Sequence, residues 1–206
     1  MKGNRAKLLR CKVAQEAALL LYTSQEKEYK QAKQRAAETL GSRILPSNLE
    51  VAKELNKIAE DWEGPQRKEL ILRMRQEAKQ IMETIMEFNP RLVGSVWRGT
   101  ARQNSDIDIL TFSQDHNQVL EKLEKNNYKI MTSDWRSVTK AGKKESSFHI
   151  QIVLPTASEV EVVVRSEDNM GQHERCETYG DVKTGLNLKQ LTKILEDNPH
   201  QKFVPI

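Results

Sequence analysis

The chain has 206 residues and carries 33 Lys and Arg against 29 Asp and Glu, a formal net charge of +4 at pH 7 with a pI of about 9.0; at about 100 to 200 residues per domain this means one domain, or one with a substantial appendage. Only 37% of residues are hydrophobic, mean hydropathy is -0.68, and the longest apolar stretch, Ala17 to Tyr22, falls far short of the roughly 20 residues of a bilayer-spanning helix. The start MKGNRAKLLRCK is not followed by an apolar core of signal-peptide length, so the sequence predicts a cytoplasmic protein with no membrane partner.

In chain order, the first 88 residues read as helices, because apolar positions recur at spacings of three and four. A first helix runs from about Ala6 to Tyr22. Thr23 and Glu26 have capping-box spacing for a restart toward Leu40, with Gly41 as the stop. Ser47 and Glu50 repeat the signature and open a helix that ends near Trp62, before Gly64 and Pro65. The next helix begins at Pro65, carries Leu70, Met74, Ala78, Ile81, Ile85 and Phe88 on one core-facing stripe, and closes at Asn89-Pro90. The charge excess lies entirely in this part. Lys2, Arg5, Lys7, Arg10 and Lys12 precede the first acid, Glu16, and such an arm can either contact phosphates or simply face solvent.

After Pro90, short Val- and Ile-rich runs alternate with turns: 91–93, 106–112, 128–131, 136–139, 148–154 and 159–165. One helix, about Asn117 to Lys125, lies between the second and third. A last helix, about Leu188 to Glu196, is capped by Asn187 and Gln190. This pattern predicts a helical region at 1–88 and an α+β region at 89–206, with no flexible linker and the helices packed on the sheet. Cys11 and Cys176 are too few for a disulfide framework and read as reduced thiols. His173 and Cys176 have H-x-x-C spacing but no second ligand pair. Lys140, Lys143 and Lys144 surround Gly142 in what reads as a solvated basic turn, or a nucleic-acid contact.

The informative segment is Gly94 to Leu110, GSVWRGTARQNSDIDIL. Asp106 and Asp108 are separated by one Ile in a strand-like run, so their side chains leave the same face. Two extended residues span only about 6.4 to 6.8 Å, close enough for the carboxylates to converge on ions about 3.5 to 4 Å apart. Hard oxygen ligands select Mg²⁺, or Mn²⁺, over zinc. The same acidic pair at a strand edge also fits a solvated or helix-capping role. Gly94-Ser95, where a strand enters a turn, offers backbone amides and a hydroxyl to a phosphate. Arg98 follows in the same turn, as a counter-charge for a triphosphate or as a structural salt bridge. Trp97 reads as packing, and Gly99-Thr100 as a second bend.

GSVWRGTARQNSDIDI resembles the signature of the DNA-polymerase-beta-like nucleotidyltransferase superfamily, in which Gly-Ser, ten residues and Asp-x-Asp hold a nucleoside triphosphate and two metal ions. It is similar to the archaeal CCA-adding enzymes and to minimal nucleotidyltransferases. The resemblance implies a mixed β-sheet flanked by helices, with Gly94, Ser95 and Arg98 on the nucleotide. It also implies a third carboxylate on a later strand, and the SEVEVVVR run offers Glu159 and Glu161 on one face, with Val160, Val162 and Val164 on the other. A five-residue loop, Leu154 to Ser158, sets Gln151 across from Glu161 and keeps polar with polar. A four-residue loop sets Ile152 there instead. The pattern favours the former and puts His149, Gln151 and Arg165 on the polar face. Glu161 is favoured as the third acid, beside Asp106 and Asp108, with Glu159 as the alternative.

The implied activity is transfer of a nucleoside monophosphate, AMP first, from its triphosphate to an acceptor hydroxyl with release of pyrophosphate, using two Mg²⁺ ions. The basic arm and pI suit an RNA acceptor, such as a tRNA 3′ end. The compact size suits a protein or small molecule as acceptor, including in a toxin-antitoxin pair. A catalytically idle nucleotide- or RNA-binding module is the reading from another class. The N-terminal helices are candidates for acceptor binding or for an oligomer interface.

Overall fold

The computed structural model describes residues 2–140, 143–172 and 174–205, with side chains at 2–4, 138–140 and 143–144 outside the description. His173 and Gly142 therefore lie outside the described residues, and so do the side chains of Lys140, Lys143 and Lys144. Two compact units emerge: residues up to Arg67 with Arg175–Asp181, and Lys68–Glu174 with Val182–Val204.

The first unit contains α1 (Lys2–Tyr22), α2 (Tyr29–Thr39) and the start of α3 (Asn48–Thr84). It has a core of its own, built by Val13, Ala17, Ala18, Leu21, Ala32, Ala36 and Val51. The many alanines allow close helix approach. The capping box at Ser47 forms: the Glu50 amide donates to Ser47 Oγ at 3.2 Å, and the Ser47 amide donates to Glu50 Oε2 at 2.7 Å. The one expected at Thr23 does not. Thr23 Oγ1 instead donates back to the Leu19 carbonyl at 2.8 Å, and α2 starts after Glu28 without a side-chain cap. The two helices expected on either side of Gly64-Pro65 are joined in α3 across a kink, where Gly64 adopts φ 53° and ψ -136°. That backbone conformation suits glycine, and proline needs no amide partner immediately after it.

The second unit begins at Lys68, 21 residues before the change of sequence texture at residue 89. The reason lies in α3. Its distal stripe, Ile71, Met74, Ala78, Ile81 and Met82, with Ile85 just past its end, is part of the sheet's core.

Six strands form one mixed sheet: β1 (Arg91–Val93), β2 (Ile107–Phe112), β3 (Ile130–Lys140), β4 (Lys143–Val153), β5 (Glu159–Arg165) and β6 (Leu186–Asn187), in the spatial order β3, β4, β5, β2, β1, β6. β2 and β5 are parallel, whereas β1 with β2, β4 with β5, β3 with β4 and β1 with β6 are antiparallel. Ile107 and Ile109 from β2, Ile150 and Ile152 from β4, and Val160, Val162 and Val164 from β5 turn one face to the core. Alternation leaves Asp108, Glu161, His149 and Gln151 on the other. The fold is α+β.

Three helices complete this unit. α4 (Gly94–Arg98) replaces the turn expected after β1. α5 (His116–Lys125) is N-capped by Asp115, whose side chain accepts from the Asn117 amide. α6 (Leu188–Asp197) carries the capping box of Asn187 and Gln190. The two short strands expected at 128–131 and 136–139 are one, β3, with an irregularity between Ile130 and Thr132. Ser133-Asp134 reads as a turn by composition, yet it pairs across to Ile150 and His149. Among the described residues no helix is long and apolar enough to cross a membrane.

Candidate active site

The sheet register assembles the acids. On β2, Asp108 pairs with Val93 of β1 on one side and with Glu161 of β5 on the other. Val93 leads directly into Gly94-Ser95, so the corner lies beside the Asp108 carboxylate. Gly94 has φ +68°, and a Cβ built on it would fall 1.9 Å from Asp108 Oδ2. Nothing larger than glycine fits. α4 starts at this corner with Val93 as N-cap and no side-chain cap, so its first amides have no acceptor within the helix. Asp106 stands one residue before β2, level with Glu159 by the β2–β5 register.

Crowding of like charge marks the site. Burial, then the Asp106 and Glu161 charges, push the Asp108 pKa up to about 7, against a smaller opposing pull from Lys183. Asp106 is exposed as a residue, but desolvation of its carboxyl raises its pKa as well. The Glu161 and Glu159 charges add to the rise, while its own backbone amide and Arg102 act against it. Such a pair is costly to ionise without a cation.

Glu161 is held differently. Its Oε1 accepts from Arg136 Nη1 at 2.8 Å and Gln151 Nε2 at 3.2 Å, and lies 3.1 Å from His149 Nδ1. His149 Nε2 is in turn 2.9 Å from Ser147 Oγ. The five-residue Leu154–Ser158 loop gives the Gln151–Glu161 register, the one that keeps polar with polar. Glu159, at the exposed start of β5, pairs with Val153 and acts on Asp106 only through its charge. Arg165 turns to Glu174, with Nη1 2.7 Å from Oε1.

Arg98 is not at the phosphate corner. It is 4% exposed, its Nη1 donates to the Phe203 carbonyl at 2.9 Å, and its guanidinium lies 4.4 Å from the centre of the Trp97 ring. The turn that appeared to present it is a helix, which rotates position 98 into the core beside Val96 and Trp97. Trp97 is packing, as expected.

Sequence reasoning missed Arg75. This side chain is fully buried and donates to the carbonyls of Val96 at 3.2 Å, Trp97 at 2.9 Å, Pro199 at 2.6 Å and Gln201 at 2.8 Å. It ties the C-terminal turn of α4 to the C-terminal segment, and burial lowers its pKa to about 10. Helix-terminal carbonyls are a favourable setting for a cation. The signal was present, since Arg75 sits between Ile71 and Ala78 on the core stripe of α3. Arg136, which contacts Glu161, and Lys183, whose charge acts on Asp108 while its Nζ lies 3.5 Å from Glu174 Oε2, were also missed, being distant in sequence from Glu161 and Asp108.

The donor set fits divalent cations: hard carboxylate oxygens, with Asp106 and Asp108 raised in pKa by burial and by neighbouring acids, beneath a glycine corner that a Cβ would fill. Among the described residues, however, no three acids, histidines or cysteines already converge as a metal cluster. Among the described residues the hydrogen bonds that Glu161 accepts fall on Oε1, so Oε2 is the oxygen offered to a cation.

Comparison with known proteins agrees with this geometry. Residues 68–169 match the family model of the nucleotidyltransferase domain, a stretch that starts where the second compact unit starts and contains Gly94, Ser95 and all three acids. Over this stretch the chain carries a nucleotidyltransferase domain, a domain class of enzymes. No curated protein matches the sequence. Among solved structures it is similar to a cytoplasmic RNA terminal U-transferase, at 17% identity over 54% of this chain and 35% of that one, with a TM-score of 0.35. It is also similar to Cid1 in complex with its short product ApU, at 13% over 58% and 38%, TM-score 0.35. A third is the GLD-2/RNP-8 complex, at 13% over 60% and 44%, TM-score 0.35. The chain thus spans less than half the length of these structures.

Proposed function

We propose that the protein transfers a nucleoside monophosphate, AMP in the first instance, from a nucleoside triphosphate to the hydroxyl of an acceptor, an RNA 3′ end, releasing pyrophosphate. The observation that carries this reading is the alignment of Asp108 between the Gly94-Ser95 corner and Glu161, with Asp106 two residues before it. Asp106, Asp108 and Glu161 Oε2 would hold Mg²⁺, or Mn²⁺. Divalent cations bound there supply charge to the triphosphate and acidify the acceptor hydroxyl.

The remaining roles belong to the chain. Ser95 and the first amides of α4 anchor phosphate oxygens, with glycine at position 94 allowing close approach. Lys183, whose charge acts on Asp108 and whose Nζ lies 3.5 Å from Glu174 Oε2, supplies the counter-charge to the triphosphate in place of the buried Arg98. Arg136, His149 and Gln151 orient Glu161 by fixing one oxygen and leaving the other for the site. The basic run Lys2 to Lys12 and the pI of about 9.0 support a polyanionic acceptor.

The test is incubation with Mg²⁺, each of four α-labelled triphosphates and total RNA. The expected result is label on RNA, ATP giving the most, and none with Asp106→Ala. Label on protein or on a small molecule refutes the RNA acceptor, and binding of triphosphate without any transfer refutes the enzymatic reading.

A further inference from the structure

The sheet ends on a long open edge. β3 covers eleven residues, Ile130–Lys140, where about five or six are usual, and among the described residues β4 is the one strand paired with it. Residues 131–137 are all exposed. Such an edge presents a row of backbone N–H and C=O groups to any strand that comes alongside, and proteins normally blunt it with proline, lysine, a bulge or shortness. Here the irregularity between Ile130 and Thr132 interrupts only the start, and the run 132–137, TSDWRS, contains neither proline nor lysine. Trp135 stands in its middle, 58% exposed. Its ring is propped edge-on by His116 at 5.0 Å and Phe148 at 5.6 Å, so a large apolar group is held in place at the edge.

We propose that this edge pairs with the same edge of a second copy of the chain, antiparallel about a two-fold axis through Trp135. Charge selects the partner and the register. Asp134 and Arg136 flank Trp135 and share the opposite face of the strand, with side chains 54% and 44% exposed. Centring the pair on Trp135 sets Asp134 of each copy opposite Arg136 of the other. It also matches Ser133 with Ser137 on either side of a Trp135–Trp135 pair. Opposite charges and aromatic pairs directly across an antiparallel ladder are favourable, and like charges are unfavourable. A centre at Asp134 or Arg136 sets that charge against itself, and every centre other than Trp135 leaves Arg136 with no acid opposite. Within one copy Asp134 and Arg136 already lie 3.5 Å apart, so pairing builds an alternating square of four charges. Arg136 also holds Glu161 Oε1 at 2.8 Å, so one side chain connects the interface to the acid-bearing face. A two-fold axis normal to the sheet turns that face of both copies to the same side.

The test is sedimentation velocity of the full chain. The wild type is expected to form a dimer with a Kd below about 100 μM. Asp134→Lys and Arg136→Asp each set like charges opposite one another and should each weaken the dimer at least about tenfold. Mixed in equal amounts, the two variants should recover affinity to within about threefold of wild type, because every charge then faces its opposite. The register has its own readout, which decides the matter if Arg136→Asp fails to fold. In a chain with Cys11 and Cys176 replaced by serine, Ser133→Cys combined with Ser137→Cys should join two copies through disulfides on mild oxidation, since opposite residues lie about 4.5 to 5.5 Å apart. Ser133→Cys alone should not, because identical residues at that position are offset by about 13 Å along the strands. Asp108→Asn should dimerise like the wild type, which keeps this interface independent of the catalytic reading. A wild type that stays monomeric up to about 500 μM, or associates only when RNA or another protein is added, overturns the proposal. So do single charge variants with full affinity, a mixture no tighter than its components, or cross-linking by Ser133→Cys alone.

Discussion

Replacing Asp108 with asparagine is expected to stabilise the metal-free protein while removing its activity, and the pH dependence of that gain is specific. The Asp108 carboxyl has a pKa of about 7 in the fold against an ordinary 3.8. Between about pH 4 and pH 7 the folded state therefore keeps a proton that the unfolded chain has lost, and stability falls as pH rises through that window. The gap between these two values, at 1.36 kcal/mol per pH unit, sets a ceiling on the order of 4 kcal/mol above pH 7. Solvent screening reduces it. Half the ceiling, about 2 kcal/mol, corresponds to roughly 4 to 8 °C in Tm for a chain of this size. The assay is thermal unfolding of wild type and Asp108→Asn in chelator from pH 4 to pH 8. The two should melt together near pH 4, with Asp108→Asn higher at pH 8, and Mg²⁺ should narrow the gap at pH 8 by stabilising only the wild type. A gap that does not change with pH, or a less stable variant at pH 8, refutes the account of carboxylates crowded for a cation.

Other substitutions probe separate parts of the site. Gly94→Ala drives a Cβ into Asp108 Oδ2 and strains a positive φ; it should cost about 1 to 3 kcal/mol in urea unfolding and abolish label transfer. Arg136→Ala removes the charged one of the three contacts that hold Glu161 Oε1, leaving Gln151 and His149, and should raise the Mg²⁺ concentration for half-maximal transfer, while triphosphate binding to the metal-free protein stays unchanged. Arg98→Gln should lower stability by about 1 to 3 kcal/mol through loss of the charged donor to the part-buried Phe203 carbonyl, while the KM for triphosphate changes less than about twofold; a larger rise in KM would point to Arg98 acting on the phosphates. Arg75→Met, by uncovering the carbonyls of Val96, Trp97, Pro199 and Gln201, should cost more than about 3 kcal/mol in the same unfolding assay.

Much of the architecture was legible because it rests on local signals. The alternation of Glu159 to Arg165 and of Phe148 to Leu154 defines two half-buried strands, and polar matching across them fixes Gln151 opposite Glu161. The Ser47 and Asn187 caps are also local chemistry. What stayed hidden depends on contacts distant in the chain. Arg98 reads as a phosphate ligand because it follows the Gly94-Ser95 corner in sequence, yet its Nη1 donates to the carbonyl of Phe203, 105 residues away. Arg75 sat in an apolar stripe, but its acceptors lie on α4 and on the C-terminal segment. The region 68–84 reads as one more amphipathic helix, and only packing reveals that it belongs with the sheet. Thr23 shows the opposite failure: capping-box spacing is present, but the hydroxyl bonds backward to Leu19 and the helix restarts six residues later.

The most direct measurement of the central claim is a crystal structure with Mn²⁺ and a non-hydrolysable triphosphate, read by the anomalous signal of the metal. The account predicts peaks within coordination distance of Asp106, Asp108 and Glu161 Oε2, with phosphate oxygens on Ser95 and the first amides of α4. Manganese bound elsewhere, or a triphosphate seated away from the Gly94-Ser95 corner, would contradict it.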